Sequence, residues 1–327
     1  MRSKLAVCLC VFPGAMLAVL PAQAAQRTPT DEPYPARPIR LLVPQAAGGS
    51  NDIMARYVAH ALTERLGRQV VVDNRPGADG IIGTDMVARA APDGYTLLMA
   101  SAAFTMNPAV RKLPYDPIKG FDWVAMLGAG PTVLAVGPSL PVNSVKEVVA
   151  LAKAKPGQFT MASAGGFQHF ASALFRSQSG TDLTILLYKG GLPAMIDVMG
   201  GQSHMTLGSI VQSLPFIRSG KLKPLATGGL KRASTLPDLP TIAESGVAGY
   251  DANNWWAIAT PMGTPKAVVL RLNTEIGNYL NLPETQKRFT AEGAEVDIRT
   301  PDELRRMIPV DMEKWAKVAR EAGMKGE

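Results

Sequence analysis

Between residues 39 and 43 the chain reads Ile39-Arg-Leu-Leu-Val43, an apolar run that stops at Pro44 and is followed by a Gly-Gly pair. A short apolar run closed by turn residues predicts a buried strand entering a loop. From 51 to 66 the period changes. Ile53, Ala55, Val58, Ala61, Leu62 and Leu66 recur at helical spacing, and Gly67 supplies a stop. Val70-Val-Val72 predicts a second strand, Asn74-Arg-Pro-Gly77 a turn, residues 80–90 a helix ending near Pro92-Asp-Gly94, and Tyr95 to Ala100 a third strand. Strands and helices alternating at this spacing predict βαβ units around a parallel sheet.

The alternation then repeats. Strands are expected at 132–136, 159–162, 183–187, 205–207 and 224–227, with helices near 144–155, 167–179, 191–200 and 209–219. Beyond residue 250 a strand at 255–259 precedes helices at 265–280, 284–292 and 301–322. The pattern is that of two α/β halves with a helical tail, and no short-period repeat is visible.

Composition narrows this reading. The 327 residues are 46% hydrophobic and 19% charged, a globular balance that excludes disorder and collagen-like chains, and the length suits two domains. The first 24 residues change the charge and cysteine arithmetic. Arg2 and Lys4 precede an apolar stretch from Leu5 to Leu20, and Ala22-Gln23-Ala24 offers a small-x-small cleavage site, so 1–24 reads as a secretory signal peptide. Its removal would take Cys8 and Cys10, the two cysteines of the chain, and lower the net charge from +7 by two to +5. Thiol catalysis and cysteine-held metals are then excluded. The dilute positive charge does not announce a nucleic-acid binder, and no later apolar run reaches the roughly 20 residues of a membrane span.

Two strand-to-helix loops carry the candidate chemistry. In Gln45-Ala46-Ala47-Gly48-Gly49-Ser50-Asn51-Asp52 the glycines allow close approach of the backbone to a ligand, and the N–H groups of the helix start attract an anion. Ser50 or Asn51 could cap that helix or donate to an anion, and Asp52 suits the positive end of its dipole. Ser163-Ala164-Gly165-Gly166-Phe167-Gln-His169 repeats the arrangement, and Lys189 follows a third strand before Gly190 and Gly191. Two such starts facing one another would suit a small molecule with anionic ends. Neither loop has dinucleotide or phosphate-loop spacing, and no His, Asp and Glu cluster has metal-ligand spacing. Ser163 and His169 leave a secreted hydrolase as an alternative, although no G-x-S-x-G elbow supports it. Trp255 and Trp256 fit either the wall of a cleft or the core.

Taken together, several segments resemble one family. Tyr34-Pro-Ala-Arg-Pro-Ile-Arg-Leu-Leu-Val-Pro44, Gly48-Gly-Ser-Asn-Asp-Ile-Met-Ala-Arg56, Asn74-Arg-Pro-Gly-Ala78, Ala88-Arg-Ala-Ala-Pro-Asp-Gly-Tyr-Thr-Leu-Leu98, Tyr188-Lys-Gly-Gly191, Leu236-Pro-Asp-Leu-Pro-Thr241 and Gly263-Thr-Pro-Lys266 are similar to the Bug-type periplasmic solute receptors of tripartite tricarboxylate transporters. The resemblance implies an α/β, two-domain periplasmic-binding-protein clamshell of type II-like form, each domain a mainly parallel sheet flanked by helices. Domain 1 would comprise 25–128 plus 246–327, and domain 2 would comprise 129–245. It further implies a periplasmic, monomeric, non-enzymatic receptor without cofactor or metal. Such a receptor holds a small carboxylate at 45–52, 163–167 and 169, with Lys189, Gly208 and Ser209 nearby, and hands it to a membrane permease. A receptor feeding a membrane sensor kinase would use the same closed state.

Three departures from the family pattern bear on the ligand. Gln45 stands where an aromatic residue is usual, the second loop is shortened and carries Phe167, and Gly208-Ser209 replaces an Asp-Asn pair. Loss of that Asp removes a partner for an amino group, so the expected ligand is a non-amino acid, aromatic or bulkier in shape.

Overall fold

Leu41, Leu42 and Val43 are wholly buried because β1 (Ile39–Val43) lies between two parallel neighbours, β2 (Val70–Asn74) and β3 (Thr96–Ser101), with packed layers on both faces. A strand covered on both faces has no polar side to alternate, hence the continuous apolar run. The computed structural model describes residues 34–324, so the expected signal peptide and residues 25–33 lie outside the described residues. The remaining strands are β4 (Phe121–Val136), β5 (Thr160–Ala164), β6 (Thr184–Tyr188), β7 (Met205–Ser209), β8 (Lys223–Thr227) and β9 (Asn253–Pro261). Sheet order is β2-β1-β3-β9-β4-β7-β5-β6, with β8 on the other side of β4.

The expected parallel pairing holds within β1, β2 and β3 and within β5, β6 and β7. Antiparallel pairs are contributed by β4 and β9, so each half is a mixed sheet rather than a mainly parallel one. The reason lies in β4. Its residues 121–131 pair with β9 in the first sheet, and residues 132–136 then pair with β7 and β8 in the second. One 16-residue strand thus serves both lobes.

Sequence reasoning expects only 132–136 of this strand, whose earlier part contains Gly128, Gly130 and Pro131. The structure gives Gly128 a packing role. A Cβ there would collide with the Glu295 carbonyl, and Ala129 exchanges backbone hydrogen bonds with Glu295 at 2.9 and 2.8 Å. The glycine admits a crossing segment without ending the strand.

Helices α1 (Ser50–Leu66), α2 (Ile81–Ala88) and α8 (Lys266–Leu280) belong to the first lobe. Helices α4 (Val145–Ala154), α5 (Phe167–Ser179), α6 (Gly191–Met199) and α7 (Ile210–Arg218) belong to the second. The short α3 (Ala103–Met106), α9 (Pro283–Ala291) and the terminal α10 (Pro301–Glu321) complete the chain. A Thr300–Glu303 capping box starts α10, which packs Trp315 edge-on against Phe170 of α5 at 6.1 Å. Asp311 on α10 accepts hydrogen bonds from Thr105, Trp255 and Trp315. Trp255 and Trp256 point to opposite faces of β9 and are both buried, so both are core residues. Among the described residues no helix is long and apolar enough to cross a membrane.

His204, just before β7, accepts a hydrogen bond at Nδ1 from the Thr160 N–H at 3.1 Å, and burial lowers its pKa. The fold therefore favours the neutral imidazole. Its contribution to stability is fully present above the ordinary histidine range and is lost as pH falls from about 6.5 towards the lowered folded value. Thermal denaturation between pH 8 and 5 should show the wild type losing more of its Tm below pH 6.5 than His204→Gln does.

Candidate functional site

The first loop leaves β1 at Pro44 and enters α1 with Gly49 as the extended N-cap residue, which brings no side chain to cap the helix. The anticipated caps serve elsewhere. Asn51 turns inward, where its Oδ1 accepts from Trp256 Nε1 at 2.7 Å and from Asn254 Nδ2 at 3.4 Å. Its Nδ2 donates to Ser101 Oγ at 3.1 Å. Ser50 is also buried. Asp52 closes the loop on itself by accepting from the Gly48 N–H at 2.9 Å and from Arg56 Nε at 3.0 Å. Burial raises the pKa of that carboxyl. The hydrogen bonds from Arg56, the Gly48 N–H and Asn74, with the charge of Arg56, outweigh burial and hold it below the ordinary range. The first-turn N–H groups of α1 therefore lie beside a loop whose internal acid is already paired.

Three helix starts of the second lobe are built alike. α5 begins at Gly166, α6 at Gly190 and α7 at Ser209, and none has a side-chain cap. They meet the first lobe along two fronts. On one, Ala46 packs against Gly190, and Gln212 on α7 donates from Nε2 to the Gly48 carbonyl at 3.2 Å. On the other, Gly165 and Gly166 press against Asp79 and Ala103 of the first lobe. The amides of Gln168 and Gln212 flank Gly191 between them. Loops roughly 60 to 160 residues apart thus converge, and the first-turn N–H groups of four helices need acceptors that no capping side chain supplies.

The other anticipated residues are placed as follows. Ala47 is exposed, as is Lys189 at the rim beyond β6. Ala164 donates its N–H to Gln168 Oε1 at 3.1 Å. Phe167 is buried in the hydrophobic core with Phe170. Gly208 packs against the Ser213 hydroxyl, which leaves no space for a side chain. The Ser209 hydroxyl is buried without a hydrogen-bond partner. His169 lies half-buried in the first turn of α5. Ser163, the nucleophile of the hydrolase alternative, is wholly buried, and its hydroxyl donates to the Ala164 carbonyl at 2.9 Å. A serine nucleophile needs that proton directed at a base.

Sequence reasoning misses Asp79, Ser101, Ala103, Gln168, Gln212 and Asn254. Asp79 lies just beyond the turn expected at Asn74-Arg-Pro-Gly77. Ser101, Gln212 and Asn254 carry no local mark, since only strand pairing and lobe contact bring them here. Among the described residues no group of three or more His, Cys, Asp or Glu is arranged to hold a metal.

Known proteins match the chain along most of its length. The tripartite tricarboxylate transporter family receptor profile (TctC) matches residues 54–324. The chain is 37% identical over 317 residues to the protein BugT of Bordetella pertussis, covering 95% of this chain and 97% of that one. It is similar in structure to Rpa4515 of Rhodopseudomonas palustris, solved with adipate, at a TM-score of 0.88 and 32% identity, covering 90% of this chain and 100% of that one. It is similar also to MatC of Rhodopseudomonas palustris with bound malate, at a TM-score of 0.81 and 29% identity, covering 87% and 99%.

Proposed function

This chain belongs to the TctC family of tripartite tricarboxylate transporter receptors, and from that membership we propose that it captures a small carboxylate between its lobes and delivers it to a membrane permease. The convergence of four helix starts without side-chain caps carries the reading, because their N–H groups suit carboxylate oxygens. Gln45 to Asp52 would serve one end of the ligand. Ser163 to Phe167, His169, Lys189, Gly208 and Ser209 would frame the other, largely through backbone groups. The change of pairing partner on β4 between Pro131 and Thr132 supports a division into 25–128 plus 246–327 and 129–245, with the lobes hinged where the chain crosses. Closure would strip water from the ligand and strengthen each hydrogen bond. Export to the periplasm by a cleaved signal at 1–24, action as a monomer and the absence of enzymatic activity complete the proposal.

The ligand class follows from the acids at hand. Asp52 is paired with Arg56, and Gly208-Ser209 supplies no carboxylate for an ammonium group. A non-amino acid, aromatic or bulkier, fits best. Native mass spectrometry of freshly purified protein should find a retained small acid, and a thermal-shift panel should show plain carboxylates raising Tm. If aspartate or glutamate stabilise best and plain acids do nothing, this ligand class is wrong.

A further inference from the structure

Four successive residues, Gly77, Ala78, Asp79 and Gly80, have positive φ angles of 142°, 46°, 55° and 95°. Two of them carry side chains in a region that L residues rarely adopt, a strain that persists only where surroundings enforce it. Here the Asn107 amide donates to the Asp79 carbonyl at 3.1 Å, and Arg111 Nη2 lies 3.3 Å from Asp79 Oδ2. The conformation directs the Asp79 carboxylate across the cleft onto the Gly165–Gly166 turn that opens α5. A Cβ on residue 165 would collide with Asp79 Oδ1 and stand 3.1 Å from its Cγ. The Asp79 carboxylate of the first lobe, itself paired with Arg111, therefore occupies the space in front of the second-lobe helix start.

We propose that Asp79 is a specificity-determining residue whose carboxylate takes the place that the distal carboxylate of a dicarboxylate would fill. The protein then selects acids with one carboxylate, held at the start of α1, and an uncharged distal end. This inference rests on the receptor reading above and narrows its substrate class. A second ligand carboxylate would find that space filled and, arriving about 5 Å from Asp79 at an effective dielectric of about 20, would meet a repulsion that Arg111 offsets only in part, a penalty on the order of tenfold. An uncharged distal end meets no such repulsion.

The test is titration calorimetry of the mature chain with two matched pairs, hexanoate against adipate and benzoate against terephthalate. The wild type should prefer the monoacid of a pair at least tenfold. Asp79→Asn keeps the size of the side chain and a residue that tolerates left-handed backbone, and it should shrink that preference at least tenfold. Asp79→Gly, which also relieves the backbone, should do the same. Equal or tighter binding of the diacid by the wild type overturns the inference, as does a ratio that both variants leave within about twofold. Acids that bind with a ratio indifferent to Asp79 sink this inference alone. A protein that binds no acid in these titrations, and carries none in native mass spectra, sinks the receptor reading together with it.

Discussion

Gly165→Ala should weaken capture of the ligand by one to two orders of magnitude while leaving the chain folded. Residue 165 is not in the left-handed region, so alanine meets no backbone penalty of its own. The penalty arises between the lobes, where the added methyl would run into Asp79 Oδ1. Asp79 cannot retreat cheaply, because its backbone is held by Asn107 and its carboxylate by Arg111. Relief must come from holding the lobes apart, and a cleft that closes incompletely loses the desolvated hydrogen bonds of the closed state. Titration calorimetry would measure the loss, and small-angle scattering with ligand would show a more open particle. Adding Asp79→Gly should restore most of the affinity, since it removes the opposing group. Unchanged affinity for Gly165→Ala would mean that this front is not tight in the ligand-bound state.

The second large effect is on stability. Asn51→Ala should cost about 2–4 kcal/mol, because removal of one amide leaves several buried groups without their partners. Trp256 Nε1 and the Asn254 amide lose their acceptor, and Ser101 loses its donor. All four residues are almost fully buried. A fall in Tm of roughly 5–10 °C is the expected reading by calorimetry. Asn51→Asp retains the acceptor for Trp256 and should fall less far. A loss under about 1 kcal/mol for Asn51→Ala would show that water replaces the amide.

The two experiments probe features of different visibility. The helix that bears Asn51 is evident from the spacing of Ile53, Ala55, Val58 and Leu62, whereas the partners of Asn51 are not. Trp256 and Asn254 follow it by about 200 residues, and local period carries no information about which distant strand a side chain will face. Asn51 is also an N-cap residue type, so its local preference pointed outwards, and tertiary hydrogen bonding overrode it. Phe167 shows the same override. It stands in a candidate ligand loop but ends in the core, since the apolar face of α5 that carries Phe167 and Phe170 turns into the buried cluster. Asp79 is not legible in the sequence, because a polar residue in a Gly-rich turn matches ordinary loop chemistry until the opposing lobe is in place.

Taken alone, the chain determines its elements, their alternation, the two Gly-rich helix starts and the family to which they correspond. Each of these is written in short-range periodicity and turn residues, which act over a few positions. Tertiary structure decided that β4 runs through both sheets, that Asn51 and Phe167 face inwards, and that the Asp79 carboxylate meets Gly165. Those outcomes depend on which surfaces the packed lobes bring within contact distance, and that is a property of the whole fold rather than of any segment.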